Sequence, residues 1–261
     1  MLHELRLFFI ALQFLTRVPV PAWVGWQPDW LNHSARHFPA VGLLVGGFGA
    51  VVLWAGAHLW PAPVAVALSM AATVWLTGAF HEDGLADTCD GLGGAVSRGR
   101  ALTIMKDSRI GSYGAIGLLL VLGIKATALH GLALRDLGAA LLALPLAHAL
   151  SRTVAVLLLV WLPYAGDAEH AKAKPMAQQV SPAGLAAALG WCAVAMAAAL
   201  ALGLQPRGVL LMVLAAASTA WVMARWLRRR LGGYTGDTLG AAQQGAEVAM
   251  YLALVASLAN E

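Results

Sequence analysis

Charge is what this sequence has least of. Charged residues make up 11% of its 261 positions against 60% hydrophobic ones, and the mean hydropathy is +0.72. A composition so poor in ions excludes an ordinary soluble domain and is that of a membrane protein. Cysteine is nearly missing too. Cys89 and Cys192 are too few and too far apart for a zinc site or a CxxC redox pair, so neither a structural metal nor a disulfide is expected. Cys192 lies inside an apolar run, as small buried residues do. The opening Met1-Leu2-His3-Glu4-Leu5-Arg6 lacks the basic stretch and small-residue cleavage site of a removable secretory signal, and none is expected. No contiguous basic helix is present either, so the formal charge of +4 does not point to nucleic acid. Without an internal repeat or a soluble segment, residues 1–261 read as a single integral-membrane domain.

What is abundant is apolar length. A hydrocarbon core of roughly 30 Å takes about 20 apolar residues per helix. Seven stretches meet that criterion, at about residues 39–60, 63–80, 113–134, 138–162, 183–204, 208–227 and 239–258. The shorter run from Leu5 to Leu15 is interrupted by Arg6 and Gln13 and reads as an interfacial or re-entrant helix. The expected fold is all-α: a polytopic transmembrane helix bundle of about seven spans plus that N-terminal helix. With a cytoplasmic N-terminus, thirteen of the 17 Lys and Arg fall on the inner side, including Lys106, Arg109, Lys172, Lys174 and the run Arg228-Arg229-Arg230. Only Arg135 and Arg207 fall outside, and Lys125 and Arg152 lie within the membrane. That bias obeys the positive-inside rule and puts the loops 81–112 and 163–182 in the cytoplasm. The many Ala and Gly residues suit close helix packing in lipid.

The few acids are not scattered. The segment Phe80-His81-Glu82-Asp83-Gly84-Leu85-Ala86-Asp87-Thr88-Cys89-Asp90-Gly91 holds four carboxylates. Asp83, Asp87 and Asp90 fall at i, i+4 and i+7, on one face if the second span continues as a helix, whereas Glu82 points elsewhere. Like charges aligned this way repel unless a cation joins them, and paired carboxylates with substrate phosphate are a usual way to hold Mg²⁺. A solvated acidic loop at the membrane edge is the plainer reading, but it gives no reason for three Asp at helical spacing beside Gly-rich backbone.

Two further clusters accompany it. In Met105-Lys106-Asp107-Ser108-Arg109-Ile110-Gly111, Lys106 and Arg109 can clamp phosphate oxygens while glycine lets backbone N–H groups approach an anion. Topological flanking explains the two cations equally well, but not Asp107 or the glycine. The stretch Gly232-Gly233-Tyr234-Thr235-Gly236-Asp237 opens the last span, and Gln243, Gln244 and Glu247 follow inside it. An acid at the depth of Glu247 is expensive and faces a bundle interior or an aqueous cavity, as a structural contact or as a functional group. Lys125 and Arg152 either neutralise Glu247 or another acid, or bind substrate. His148 shares a face with Arg152 at i, i+4, where a lone histidine is more often structural.

Together these residues resemble the cobalamin synthase, or adenosylcobinamide-GDP ribazoletransferase, family. The resemblance runs collinearly through Phe14-Leu15-Thr16-Arg17-Val18-Pro19-Val20-Pro21, Phe38-Pro39-Ala40-Val41-Gly42, His81 to Gly91, Met105 to Gly111, Thr235-Gly236-Asp237 and Gly240-Ala241. Cys89 stands where a small residue such as Ala would be expected. The resemblance implies a catalytic domain that performs the last assembly step of adenosylcobalamin. A hydroxyl of α-ribazole, or of its 5′-phosphate, attacks the cobinamide-linked phosphorus of adenosylcobinamide-GDP and expels GMP, with Mg²⁺ as cofactor. Asp83, Asp87 and Asp90 would hold the metal, and Lys106, Arg109, Arg152 and Glu247 would serve substrate binding. The base is left open among His81, Asp107 and Asp237. The implied setting is the bacterial inner membrane with the active site on the cytoplasmic side, with room for a homo-oligomer or for association with other corrinoid-assembly enzymes.

Three rivals have weaker support. A CDP-alcohol phosphotransferase needs D-G-x-x-A-R followed by G-x-x-x-D-x-x-x-D, but Asp87 follows Asp83-Gly84-Leu85-Ala86 here and the last spacing is three. An aspartate-rich prenyltransferase needs two separated acidic boxes. A secondary transporter built on Glu247, Lys125 and Arg152 would concentrate its polar groups at the bilayer centre, whereas the richest cluster lies at one face.

Overall fold

A computed structural model describes residues 2–166 and 177–258 of the chain. Lys172 and Lys174 lie outside the described residues. Within these, the regular secondary structure is all helical apart from one isolated bridge between Tyr164 and Tyr234. The helices are α1 (Leu2–Leu15), α2 (Pro28–Ser34), α3 (Phe38–Leu59), α4 (Ala62–Thr77), α5 (Phe80–Leu92), α6 (Arg98–Met105), α7 (Ser112–Arg135), α8 (Leu137–Trp161), α9 (Pro182–Ala201), α10 (Pro206–Arg230) and α11 (Gly236–Leu258). At 1.5 Å per residue α1 is about 21 Å long, too short to cross a bilayer. It buries Leu7, Ile10, Ala11, Leu12 and Leu15 beside α2 and α3, as an accessory to the bundle.

Among the described residues, five stretches are long and apolar enough to span: Asp29–Leu59, Ser112–Arg135, Leu137–Trp161, Pro182–Ala201 and Pro206–Arg230. A sixth is α4 with α5 taken together, although these two helices meet at 89°. The seven stretches expected from hydropathy therefore reduce to five or six by this measure, and the last of them, 239–258, drops out. Its helix, α11, has 23 residues, enough length to cross, but Gln243, Gln244 and Glu247 lower its hydropathy. Its polar face packs against the neighbours α5, α7, α8 and α10, so Gln243, Gln244 and Glu247 meet protein, while Leu252 on the helix stays exposed.

The sharp turn between α4 and α5 is local chemistry. Gly78 and Ala79 both take left-handed backbone, at φ 68° and 59°. The N–H of Gly78 donates to Trp75 O at 3.2 Å and that of Ala79 to Val74 O at 2.9 Å, which terminates α4. The Arg17 side chain lies directly against Gly78, so a Cβ there would be strained in φ and would also collide. The second span thus does not run on through the acidic segment as the aligned aspartates presupposed. A new helix begins after the turn, and Asp83, Asp87 and Asp90 all lie on it.

Candidate active site

Helix α5 crosses the start of α11 at backbone contact. A Cβ on Gly84 would come within 2.7 Å of the Asp237 carbonyl oxygen, so only glycine lets the acidic helix lie against the Asp237 turn. A cavity of about 440 Å³ opens at this crossing. Asp83 and Asp87 from α5 line it, with Lys106, Asp107 and Ser108 from the loop after α6, and Thr235, Gly236 and Asp237 from the entry to α11. The inner end is formed by His81, Arg152 and Gln243. One wall is aromatic. Phe14 stacks on Phe38 with ring centres 5.7 Å apart and meets Phe80 edge-on at 5.4 Å, and all three rings face the cavity. Charged groups thus face an apolar wall in a space that holds one drug-sized ligand or part of a larger one.

The structure brings His81, Asp83, Asp87, Lys106, Asp107, Arg152 and Asp237 to one cavity, but it places three other candidates elsewhere. Asp90 lies seven residues beyond Asp83, about 10 Å along the helix axis. Its carboxylate accepts the N–H of Gly111 at 2.7 Å and of Gly114 at 2.8 Å. It therefore caps the N-terminus of α7, where the helix dipole favours an anion. Arg109 is turned to solvent, and its guanidinium grips Asp107 through Nε at 2.9 Å and Nη2 at 2.6 Å. The planar fork expected on a phosphate is engaged by a carboxylate two residues away. That partnership holds the Asp107 carboxyl down at about 2, below its ordinary value. Glu247 is fully buried and does not line the cavity.

Glu247 instead centres a polar network behind the inner wall. It ion-pairs with Lys125 of α7, which also donates to Gln244 at 3.3 Å. Arg152 Nη1 lies 3.6 Å away and His148 Nδ1 3.1 Å. Ser151 donates to it at 3.2 Å, and Gln243 donates to it as well. Gln244 carries the network on to Glu82 at 2.8 Å. A buried charge persists only with such partners, so the neutralising role open to Lys125 and Arg152 is realised. Arg152 alone of the two also reaches the cavity.

Sequence reasoning passed over Phe14, Phe38 and Phe80 as site residues, and Gln243 as part of the inner wall. Each aromatic residue lies at the end or start of an apolar run, where a hydrophobic residue attracts no notice, and only the crossing of α1, α3 and α5 assembles them. Carboxylate oxygens suit a hard cation such as Mg²⁺. Among the described residues, however, no three His, Cys, Asp or Glu side chains converge to hold a metal alone. Asp83 and Asp87, one turn apart on the cavity wall, are the donor pair that fits an ion completed by substrate oxygens.

Comparison with known proteins gives a consistent picture. The family model described as cobalamin-5-phosphate synthase matches residues 7–255. The chain is 67% identical over 258 residues to the adenosylcobinamide-GDP ribazoletransferase of Leptothrix cholodnii, covering 99% of this chain and 98% of the relative. It is 45% identical over 276 residues to the protein of that name from Albidiferax ferrireducens, covering 97% and 99%. The corresponding Shewanella pealeana protein is 45% identical over 254 residues, covering 97% and 96%. No solved structure matches the chain.

Proposed function

The chain belongs to the cobalamin-5-phosphate synthase family, and on that footing we propose that it is an adenosylcobinamide-GDP ribazoletransferase working at the cytoplasmic face of the bacterial inner membrane. The reaction joins α-ribazole, or its 5′-phosphate, to adenosylcobinamide-GDP. The ribazole hydroxyl forms a new bond to the cobinamide-linked phosphorus, the diphosphate bridge breaks, and GMP leaves with the bond electrons. The observation that carries this reading is the single cavity in which the carboxylates Asp83, Asp87, Asp107 and Asp237, the cations Lys106 and Arg152, and the aromatic wall face one another. Phosphoryl transfer is mostly positioning and charge neutralisation, and this lining suits both.

Lys106 and Arg152 draw the diphosphate to the cavity and take its outer oxygens. Asp83 and Asp87 are the residues to hold Mg²⁺, which when bound supplies charge neutralisation to the departing GMP. The ribazole hydroxyl gives its proton to Asp107, Asp237 or His81, all on the cavity lining. Asp107 is ionised at neutral pH, as a solvent-accessible carboxylate is, and its pairing with Arg109 lowers its proton affinity further. Phe14, Phe38 and Phe80 exclude water from one side and offer flat apolar faces. At about 440 Å³ the cavity takes the diphosphate and its near surroundings, so the bulk of a corrinoid stays outside.

The test is direct. Purified protein is incubated with adenosylcobinamide-GDP, α-ribazole and Mg²⁺, and GMP is quantified. GMP should appear in step with the corrinoid product and should need both substrates. If GMP does not form, or forms without α-ribazole, the transferase reading fails.

A further inference from the structure

Behind His81 and Arg152 lies a second, much smaller void of about 10 Å³, lined by residues of α4, α5, α7, α8 and α11. That is about the room one water molecule needs. Glu82, His148, Arg152 and Gln243 all line it, and each carries one buried polar atom without a protein partner: Glu82 Oε2, His148 Nε2, Arg152 Nε and Gln243 Oε1. Four residues that line one void of this size and each keep an orphaned polar atom point to a bound water, since an unsatisfied buried polar group costs about 1–3 kcal/mol. Their chemistry also matches. Gln243 has its Nε2 committed to Ser151 at 3.1 Å and to Glu247, which fixes Oε1 as the outward acceptor. Glu82 has Oε1 committed to Gln244 at 2.8 Å, leaving Oε2 as a second acceptor. Arg152 Nε can only donate, and with Nδ1 accepting from Arg152 Nη1 at 3.2 Å, His148 carries its proton on Nε2 and donates there. A water gives two hydrogen bonds and receives two, which accounts for all four.

We propose that this void holds one ordered water joining Glu82, Gln243, His148 and Arg152, and that this water positions Arg152 as the receptor for a phosphate-type anion at the inner end of the larger cavity. Arg152 links the two spaces because it lines both. Its Nη1 is committed to the His148 carbonyl at 3.0 Å, and its Nε is taken by the water. Nη2 is then the donor left for the cavity. A guanidinium held at two of its three nitrogens cannot swing away, so it meets an incoming anion without a cost for ordering. The anion-receptor half rests on the reading of the large cavity as a phosphate site, but the water itself does not.

Hydroxyl-radical labelling by X-ray radiolysis tests the water, because radicals made from a bound water mark buried side chains beside it. In the full-length protein in detergent, His148 should be labelled although it is buried, and Thr77→Ser should keep that label. Thr77 also lines the void without bonding to the four atoms, so Thr77→Ile fills the space and should abolish the label. An unlabelled His148 in the wild-type protein overturns the proposal, whether or not the isoleucine variant folds. So does an undiminished label in folded Thr77→Ile. Calorimetry with inorganic pyrophosphate tests positioning without turnover. Its Kd should rise roughly tenfold in Thr77→Ile, the scale of one lost hydrogen bond to a charged group, and stay unchanged in Thr77→Ser. Lost labelling with unchanged pyrophosphate affinity overturns the positioning role. Failure to release GMP would count against the transferase reading and leave the labelling result intact.

Discussion

Asp90 and Gly111 lie 21 positions apart, and the carboxylate of the first accepts the backbone N–H of the second at 2.7 Å. With the parallel bond to Gly114, the third aspartate of the acidic helix is a capping group, apart from the cavity that Asp83 and Asp87 line. Asp90→Ala should therefore lower stability by about 0.5–2 kcal/mol, the usual cost of losing a helix cap, visible as a lower Tm. Asp83→Asn and Asp87→Asn should leave Tm near wild type and raise the Mg²⁺ concentration needed for half-maximal GMP release. Should Asp90→Ala change the Mg²⁺ requirement with Tm intact, the cap assignment is wrong.

The Asp107–Arg109 pair argues for a mild effect of Arg109→Lys. The guanidinium is exposed and occupied by Asp107, so kcat/KM should stay within about threefold of wild type, well short of the loss of a charge-assisted phosphate contact. The sign of the pH effect follows from the depressed carboxyl. Asp107 is held at about 2 against an ordinary 3.8, so the stabilisation is present above the ordinary value and disappears only as pH falls through about 2. The acid limb of the rate profile between pH 4 and 6 should therefore be the same in wild type and Asp107→Asn, apart from a uniform change in rate. A limb that disappears with Asp107 would mean that the carboxyl titrates higher than its pairing allows.

Gly84→Ala probes the α5–α11 crossing. A methyl group 2.7 Å from the Asp237 carbonyl forces the helices apart, with a stability cost of about 1–3 kcal/mol. It should also lower kcat, by separating Asp83 from Asp237. Gly190→Ala on α9 meets nothing within 4 Å and should be neutral or slightly stabilising in Tm, since alanine is the better helix former. Equal behaviour of the two variants would remove the close approach from the account.

Glu247 is the counter-charge for two buried cations. Glu247→Gln should cost about 3–5 kcal/mol, because it leaves Lys125 and Arg152 uncompensated, and should sharply reduce the yield of monodisperse protein from detergent. Lys125→Met combined with Glu247→Gln leaves Arg152 opposite Glu82 and should recover much of that yield. A double variant no better than the single one would show that the ion pair is not the source of the loss.

Topology tests whether α11 crosses the bilayer despite its polar face. Among the described residues, α6, α7, α8, α9, α10 and α11 lie between Gly94 and the C-terminus, of which the eight-residue α6 is too short to cross, so with five crossings reporter fusions after Gly94 and at the C-terminus should report opposite sides of the membrane. Matching signals would make α11 an internal helix that does not cross.

The sequence alone determined what lipid and helical periodicity impose. Long apolar runs have no stable place outside a bilayer, so the helical membrane bundle was legible, as was the short α1 beside it. Aspartates at i and i+4 must share a helix face wherever that helix points, so Asp83 and Asp87 were legible as a pair. Lys106, Asp107, His81 and Asp237 were legible as candidates by residue type. Only the tertiary structure decided which of these side chains meet. Two left-handed residues at 78 and 79 turned the acidic helix by 89°, and no hydropathy count registers such a turn. Backbone contact at Gly84 set Asp237 against that helix, while the rise along α5 carried Asp90 out of the cavity and onto α7. Arg109 was diverted to Asp107 because the nearest carboxylate takes an exposed guanidinium. Glu247 and the polar face of α11 became interior because four other helices pack against them, and hydropathy measures a helix against lipid, not against its neighbours.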